Sequence, residues 1–494
     1  MLKYGVSTAN KVATDVGIQI LENGGNAIDA AVAVSFALGV LEPYASGLGG
    51  GGAMLIYFKE TDNATLIDYR EIAPYDGSYI GNIGIPGFVK GMEYVALKYG
   101  SMPLKELIEP SIKLARNGFL VGETFAKQLK KAKHLDRKIV QHLYVDENPI
   151  SVGSQLKQEC LALTLQEIAT KGSKGFYSSR IGSQISRDMG IELEGLDRYE
   201  VVERIPTKGI FNGYSIFSAP SPMGGSLIIQ ILQTYELLYK NEMYVTDEMK
   251  IIDRICSLIN LCNLKGYNLF GDPKFNEIEE KYLTSNLYCL ELAQILSSKK
   301  KPISNVSMKL EDNNNTTHFV IMDKNGTMVS TTNSISNVFG SGKYTNGFFL
   351  NNQLKNFSSK KKSPNIAQAG KRPFTLIAPT ILKKDGELIG IGSSGGQRIP
   401  GILCYSLIEL INGKKTISEV INLPRFFNDN LKIIVEKGNA ETELIKLVRK
   451  GYNIEIFDDN FFFGAMQCLI FNLKHNKLIG AADPRRNGVC VIKD

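Results

Sequence analysis

The run Asn314-Asn315-Thr316-Thr317-His318 constrains this chain more than any other, because it stands where a polar, Lys- and Asn-rich stretch gives way abruptly to a strand. A cut before Thr316 would leave a threonine carrying both a hydroxyl nucleophile and its own free α-amine as general base. A hairpin pattern follows: His318 to Met322, then Asp323-Lys324-Asn325-Gly326, then Thr327 to Thr332. The Asn-Gly pair predicts a type I′ turn. Thr316 is therefore expected at the leading edge of a sheet strand, a rigid mount for a reactive group. The stretch before it, from about 297 to 315, predicts an exposed linker.

Upstream of that linker, helices and short strands alternate. Asn26 is placed to cap a helix, and two strand-like runs, Ala53 to Phe58 and Ala64 to Tyr69, predict a hairpin. The apolar stretch from Ala27 to Leu41 contains Asp29 and is shorter than the roughly 18 residues of a membrane span, so it predicts a buried helix. Hydrophobic residues at 43% and charged residues at 22% exclude a disordered or fibrous chain. The net charge of +7 leans toward anionic partners, yet no basic stripe is interleaved with aromatics and no nucleic-acid-binding motif occurs. Seven scattered cysteines without a C-x-x-C pair predict free thiols, no metal site and no disulfide framework. No signal-peptide pattern opens the sequence, which fits a cytoplasmic protein or a mature form whose leader lies outside it.

Two glycine-rich runs invite chemistry. Gly47, Gly49 and Gly52 match G-x-G-x-x-G, but the helix precedes them and the strand follows, the reverse of a dinucleotide fold. The run Gly392-Ser393-Ser394-Gly395-Gly396-Gln397-Arg398 follows a strand and precedes a helix that starts near Pro400. Its N–H groups fit either an oxyanion pocket or a plain strand-to-helix turn.

Taken together, these segments resemble the γ-glutamyltranspeptidase family of N-terminal-nucleophile hydrolases. The resemblance rests on Gly24-Gly25-Asn26-Ala27-Ile28-Asp29-Ala30-Ala31, Ser46 to Gly52, Asp68-Tyr69-Arg70-Glu71-Ile72-Ala73-Pro74, Ile85-Pro86-Gly87, Thr316-Thr317-His318-Phe319, Phe339-Gly340-Ser341-Gly342, Leu350-Asn351-Asn352-Gln353 and Gly392 to Gly396. It implies an α+β fold, the four-layer αββα sandwich, built from two chains after self-cleavage between Asn315 and Thr316. A large chain, 1–315, and a small chain, 316–494, would remain associated as a heterodimer. On this resemblance Thr316 is the nucleophile and cleaves the chain before itself, Thr317 and Ser334 hydrogen-bond near its hydroxyl and amine, and the N–H groups of Gly395 and Gly396 form the oxyanion hole. Arg70 would clamp the substrate α-carboxylate, and Gln353, Asn356 and Thr375 would line the substrate site. No cofactor and no metal are implied, and the family's setting implies an extracellular or cell-surface enzyme.

The departures from the glutathione-type pattern narrow the substrate. The acidic residue that would pair with a free α-ammonium is here Asn356, the Ser-Ser pair after Arg-Pro is Thr375-Leu376, and an Asn or Glu near the amine is Ser336. Losing that carboxylate removes the counter-charge for an ammonium group. An interior unit of γ-linked polyglutamate has a free α-carboxylate and an acylated, uncharged nitrogen. With Gly342-Lys343-Tyr344-Thr345 and Gln397-Arg398-Ile399-Pro400, these departures resemble the CapD branch of capsule enzymes, which cut poly-γ-glutamate and transfer it to peptidoglycan. The partners this implies are a polyanionic γ-glutamyl polymer or γ-glutamyl peptide and an acceptor amine, peptidoglycan among the candidates. Arg398, Arg485 and Arg486 would then meet the extra carboxylates, with Lys360, Lys361 and Lys362 as lesser candidates. A conventional γ-glutamyltransferase or glutathione hydrolase is the alternative, and a non-processing capsule-binding relative is a third.

Overall fold

A computed structural model describes residues 2–77, 80–242, 247–266, 269–298, 314–413, 415–438 and 441–494. Most of the linker expected at about 297–315 lies outside the described residues. Strand alternation explains the layering. In the strand Asn314–Met322, Phe319 and Ile321 pack into one apolar cluster while Val320 and Met322 pack into another. A strand buried on both faces needs a partner layer on each side.

The first cluster joins this strand to the helices Lys11–Glu22, Ala27–Leu41, Phe88–Tyr99 and Leu104–Asn117. The second fills the space between a seven-stranded and a six-stranded sheet and continues to the helices Gly225–Tyr239, Glu248–Gly266, Asn286–Ser297 and Ile399–Ile411. The result is an αββα sandwich. Third in the order of the seven-stranded sheet, Asn314–Met322 pairs with Tyr4–Thr8 on one side and with the central strand Met328–Asn337 on the other.

The helix Ala27–Leu41 is buried along nearly its whole length, which matches its uninterrupted apolar sequence. Asn26 and Asp29 close a reciprocal capping box, and Asp323 of the hairpin accepts a hydrogen bond from the Ala27 N–H at 3.0 Å. That hairpin differs from the expected type I′ turn. Gly326 has φ +83 but Asn325 is not left-handed, whereas type I′ needs positive φ at two successive residues. Asp323 Oδ1 accepts from the N–H groups of Asn325 and Thr327 and so sets the turn through a side chain.

Among the described residues, no helix is long and apolar enough to cross a membrane. Cys256, Cys262, Cys289, Cys404 and Cys468 are buried free thiols, Cys490 is half-buried and Cys160 is exposed.

Candidate active site

Thr316 shares strand parity with His318 and Val320 and opens into a cavity of about 640 Å³. The cavity lies beside the turn Gly396–Arg398, which leads from the strand Glu387–Ser393 of the opposite sheet into the helix Ile399–Ile411. Both sheets therefore contribute to it.

A bulge aims the groups around Thr316. The pairing passes from Thr317 opposite Asn333 to Asn315 opposite Ser336, so two residues, Ser334 and Ile335, face the single residue Thr316. Such an irregularity re-aims side chains at a strand edge. Here it brings Ser334 Oγ within 3.4 Å of Thr316 Oγ1, and the same hydroxyl donates to the Asn315 carbonyl at 2.8 Å. The Ser336 N–H donates to Ser334 Oγ at 2.9 Å and fixes that rotamer. Gly50 backs this arrangement, because a Cβ there would stand 2.3 Å from the Ser334 carbonyl oxygen.

Gly395 and Gly396, with φ of +127 and +56, reverse the chain at the head of the next helix, a course that a side chain would strain. Gly396 lies on the cavity wall with Thr316. Ser334, Ser336, Gln353, Asn356 and Thr375 also line the cavity. Thr317 does not: it faces the other side of the strand, toward Glu42, without closing a hydrogen bond of ordinary geometry.

The arginines part company with expectation. Arg70 is 2% exposed and absent from the cavity wall. Its guanidinium is bidentate on Asp68 at 3.1 Å and donates to the carbonyls of Pro222 and Pro373, at 3.3 and 2.9 Å. Pro222 O also accepts from the Thr375 N–H, so in the uncut chain Arg70 braces the wall behind Thr375 and offers the cavity no open fork. Arg485 is likewise engaged, by Glu436, Asp483 and the carbonyls of Ile421 and Leu423, and has no donor left for a polyanion. Arg486 turns inward onto Asn315 and Thr316. Arg398 is on the wall, 3.7 Å over the Phe462 ring and donating to Gly395 O at 3.0 Å. Asp68 and Asp483, two residues before Arg70 and Arg485, were local signs of these pairings, whereas the carbonyl partners and the turn of Arg486 onto Asn315 come from remote parts of the chain.

His318 is the histidine nearest in sequence to Thr316, yet it is no base for it. Burial pushes its pKa down to about 3, and its ring nitrogens face the hydroxyls of Thr332 and Ser330. The buried carboxyl on the other face of the strand is Glu42, raised to about 7 by burial against the opposing pull of Arg486, Thr317 and Tyr44. Sequence reasoning passed over Glu42, Tyr44, Lys355 and the wall residues Asn428 and Asn430. The one available signal was an acidic residue ending an apolar helix just before the glycine run.

The model of the γ-glutamyltranspeptidase family matches residues 13–492. The chain belongs to that family. The capsule biosynthesis protein CapD proenzyme of Bacillus anthracis is 41% identical over 98% of this chain and 90% of its own length. The glutathione hydrolase proenzyme of Escherichia coli K12 is 34% identical over 97% of this chain and 90% of its own length. Among solved structures, a cephalosporin acylase from Bacillus halodurans superposes with a TM-score of 0.87 over 99% of this chain and 96% of its own, at 24% identity, and so speaks for the fold. The architecture is that of the N-terminal-nucleophile hydrolases. Among the described residues, no group of three or more His, Cys, Asp or Glu side chains is placed to hold a metal.

Proposed function

We propose that this γ-glutamyltranspeptidase-family member is a self-processing acyltransferase that cuts poly-γ-glutamate at the cell surface and passes the γ-glutamyl group to water or a cell-wall amine. The observation that carries the substrate is the charge of the cavity. Lys355, Lys360 and Arg398 line it against a single carboxylate, Asp429, among the described lining residues. Asn356 lines it as well, a neutral amide where an ammonium-binding acid would otherwise stand. A wall of this kind suits a chain of carboxylates whose nitrogens are acylated. With Arg70 held by Asp68, the wall cations take the role of carboxylate partners. The likeness to the CapD proenzyme supports the same choice.

The chemistry runs in two stages. In the uncut chain, Thr316 Oγ attacks the Asn315 carbonyl carbon, polarised by the Ser334 hydroxyl, and its proton passes to the departing amide nitrogen. Water then cleaves the resulting ester, giving the Asn315 carboxylate and a Thr316 with free hydroxyl and amine. In turnover the amine takes the hydroxyl proton, Oγ attacks a γ-amide carbonyl, and the N–H groups at Gly395 and Gly396 hold the oxyanion until the leaving amine departs with the proton. Water or an acceptor amine resolves the γ-glutamyl ester.

Competing turnover tests the substrate. Poly-γ-glutamate is expected to be cut with the higher kcat/KM when mixed with glutathione, and a preference for glutathione would overturn this choice in favour of a glutathione hydrolase. Restoring an acid should move the balance. Asn356→Asp is expected to raise the glutathione-to-polyglutamate ratio of kcat/KM about 10-fold, the worth of one charge-assisted hydrogen bond.

A further inference from the structure

The side chain of Asn315 is fully buried, and each of its polar atoms is engaged. Its Oδ1 accepts from the Thr316 N–H at 2.9 Å and from the Arg486 guanidinium at 2.7 Å, and its Nδ2 donates to the Tyr44 carbonyl at 3.0 Å. The same Arg486 nitrogen donates to the Thr316 carbonyl at 3.0 Å, so one guanidinium grips the chain on both sides of the Asn315–Thr316 bond. Arg486 is itself fixed by a hydrogen bond to the Phe461 carbonyl and by stacking 3.8 Å over that ring. Asn315 does not line the cavity.

A buried guanidinium needs a counter-charge. Glu42 supplies it from the end of the helix Ala27–Leu41, where its N–H caps Leu38 O. The groups facing Glu42 are Arg486, the Thr317 hydroxyl and the Tyr44 hydroxyl, and the further charges around Arg486 are Asp483 and Asp459. Arg486 and the Tyr44 carbonyl thus hold the amide side chain, Glu42 faces Arg486 from behind, and none of these three residues lines the cavity.

We propose that Asn315 is a positioning residue for self-cleavage, held by Arg486 and Glu42 so that its carbonyl stays aimed at the Ser334 and Thr316 hydroxyls. The inference rests on the reading that Thr316 cuts the chain before itself. A glycine or alanine before the nucleophile would remove the side-chain acceptor of Arg486 and leave the carbonyl held by the Ser334 hydroxyl alone. The Asn315 side chain lies outside the cavity and becomes a chain end once the cut is made, but its Oδ1 accepts from the Thr316 nitrogen that serves as base in turnover, so the cut is expected to depend on it more than turnover does.

The test follows uncut precursor to two chains on denaturing gels and measures γ-glutamyl turnover per cut molecule. Asn315→Ala is expected to cut at least about 10-fold more slowly, as loss of a hydrogen bond to a charged group implies, with a smaller loss of turnover per cut molecule. Asn315→Asp keeps the acceptors for Arg486 and the Thr316 N–H but loses the donor to the Tyr44 carbonyl, and is expected to cut faster than Asn315→Ala and more slowly than the parent. The parent's cutting rate should rise with pH through about 7 as Glu42 ionises, and Glu42→Gln should flatten that rise. Parental cutting by Asn315→Ala, or equal losses in cutting and turnover, would overturn the proposal. If Asn315→Ala does not yield folded protein, the order of Asn315→Asp below the parent and the flattened Glu42→Gln profile decide it, and their absence overturns it. A parent that never cuts, or a Thr316→Ala variant that still cuts, would instead overturn the underlying reading.

Discussion

Thr316→Ala is expected to persist as one 494-residue chain and to lose γ-glutamyl turnover by at least about 10⁴-fold, since on the proposed mechanism it removes the nucleophile and with it the cut that would free an α-amine. The geometry leaves no substitute close by. Ser334 is 3.4 Å away, but its hydroxyl is committed to the Asn315 carbonyl and to the Ser336 N–H. The Thr317 hydroxyl lies on the other side of the strand, by Glu42, and His318 is a neutral core residue. Thr316→Ser keeps a hydroxyl and is expected to retain both the cut and measurable turnover. A denaturing gel and a turnover assay on the same samples check both outcomes.

Asp68→Asn is expected to produce the largest loss of stability, about 3–5 kcal/mol, because it leaves buried guanidiniums without their carboxylate. Asp68 is fully buried between Arg70 at 3.1 Å, Arg204 at 2.8 Å and Arg372 at 3.4 Å. Burial alone would raise its pKa, but the Arg70, Arg372 and Arg204 guanidiniums outweigh it and hold the carboxyl well below its usual range. A carboxylate depressed in the folded state stabilises fully above its unfolded pKa of about 3.9, and that contribution is lost as pH falls below it. The parent should therefore lose thermal stability steeply below about pH 4, and Asp68→Asn should start lower and lose less over that range. The cluster also reaches the site, because Arg70 braces the Pro222 and Pro373 carbonyls behind Thr375. Turnover should fall along with stability.

These residues mark what a sequence can and cannot carry. Local periodicity was enough for the strand that bears Thr316, the hairpin after it and the buried helix Ala27–Leu41, since each is set by neighbours within one turn or one strand. The hairpin's turn type was not, because the Asp323 side chain took over the donors that a type I′ turn would have arranged differently. Around the site, Ser334, Gln353, Asn356 and Thr375 come to one cavity with Thr316 although they are spread over 60 residues. The roles of Arg70, Arg485 and Arg486 stayed hidden because the partners that complete each are remote in the chain: Pro222 and Pro373 beside the neighbouring Asp68, Glu436, and Asn315. Glu42 was hidden for the same reason. Its importance comes from facing Arg486, which is more than 400 residues away in the chain.

Intact-mass analysis of the purified protein, before and after brief exposure to poly-γ-glutamate, tests the central claim most directly. Two chains, 1–315 and 316–494, are expected, with a transient gain on the small chain alone that equals a whole number of glutamyl units and maps to Thr316. A single uncut chain, or an adduct on any other residue, would contradict it.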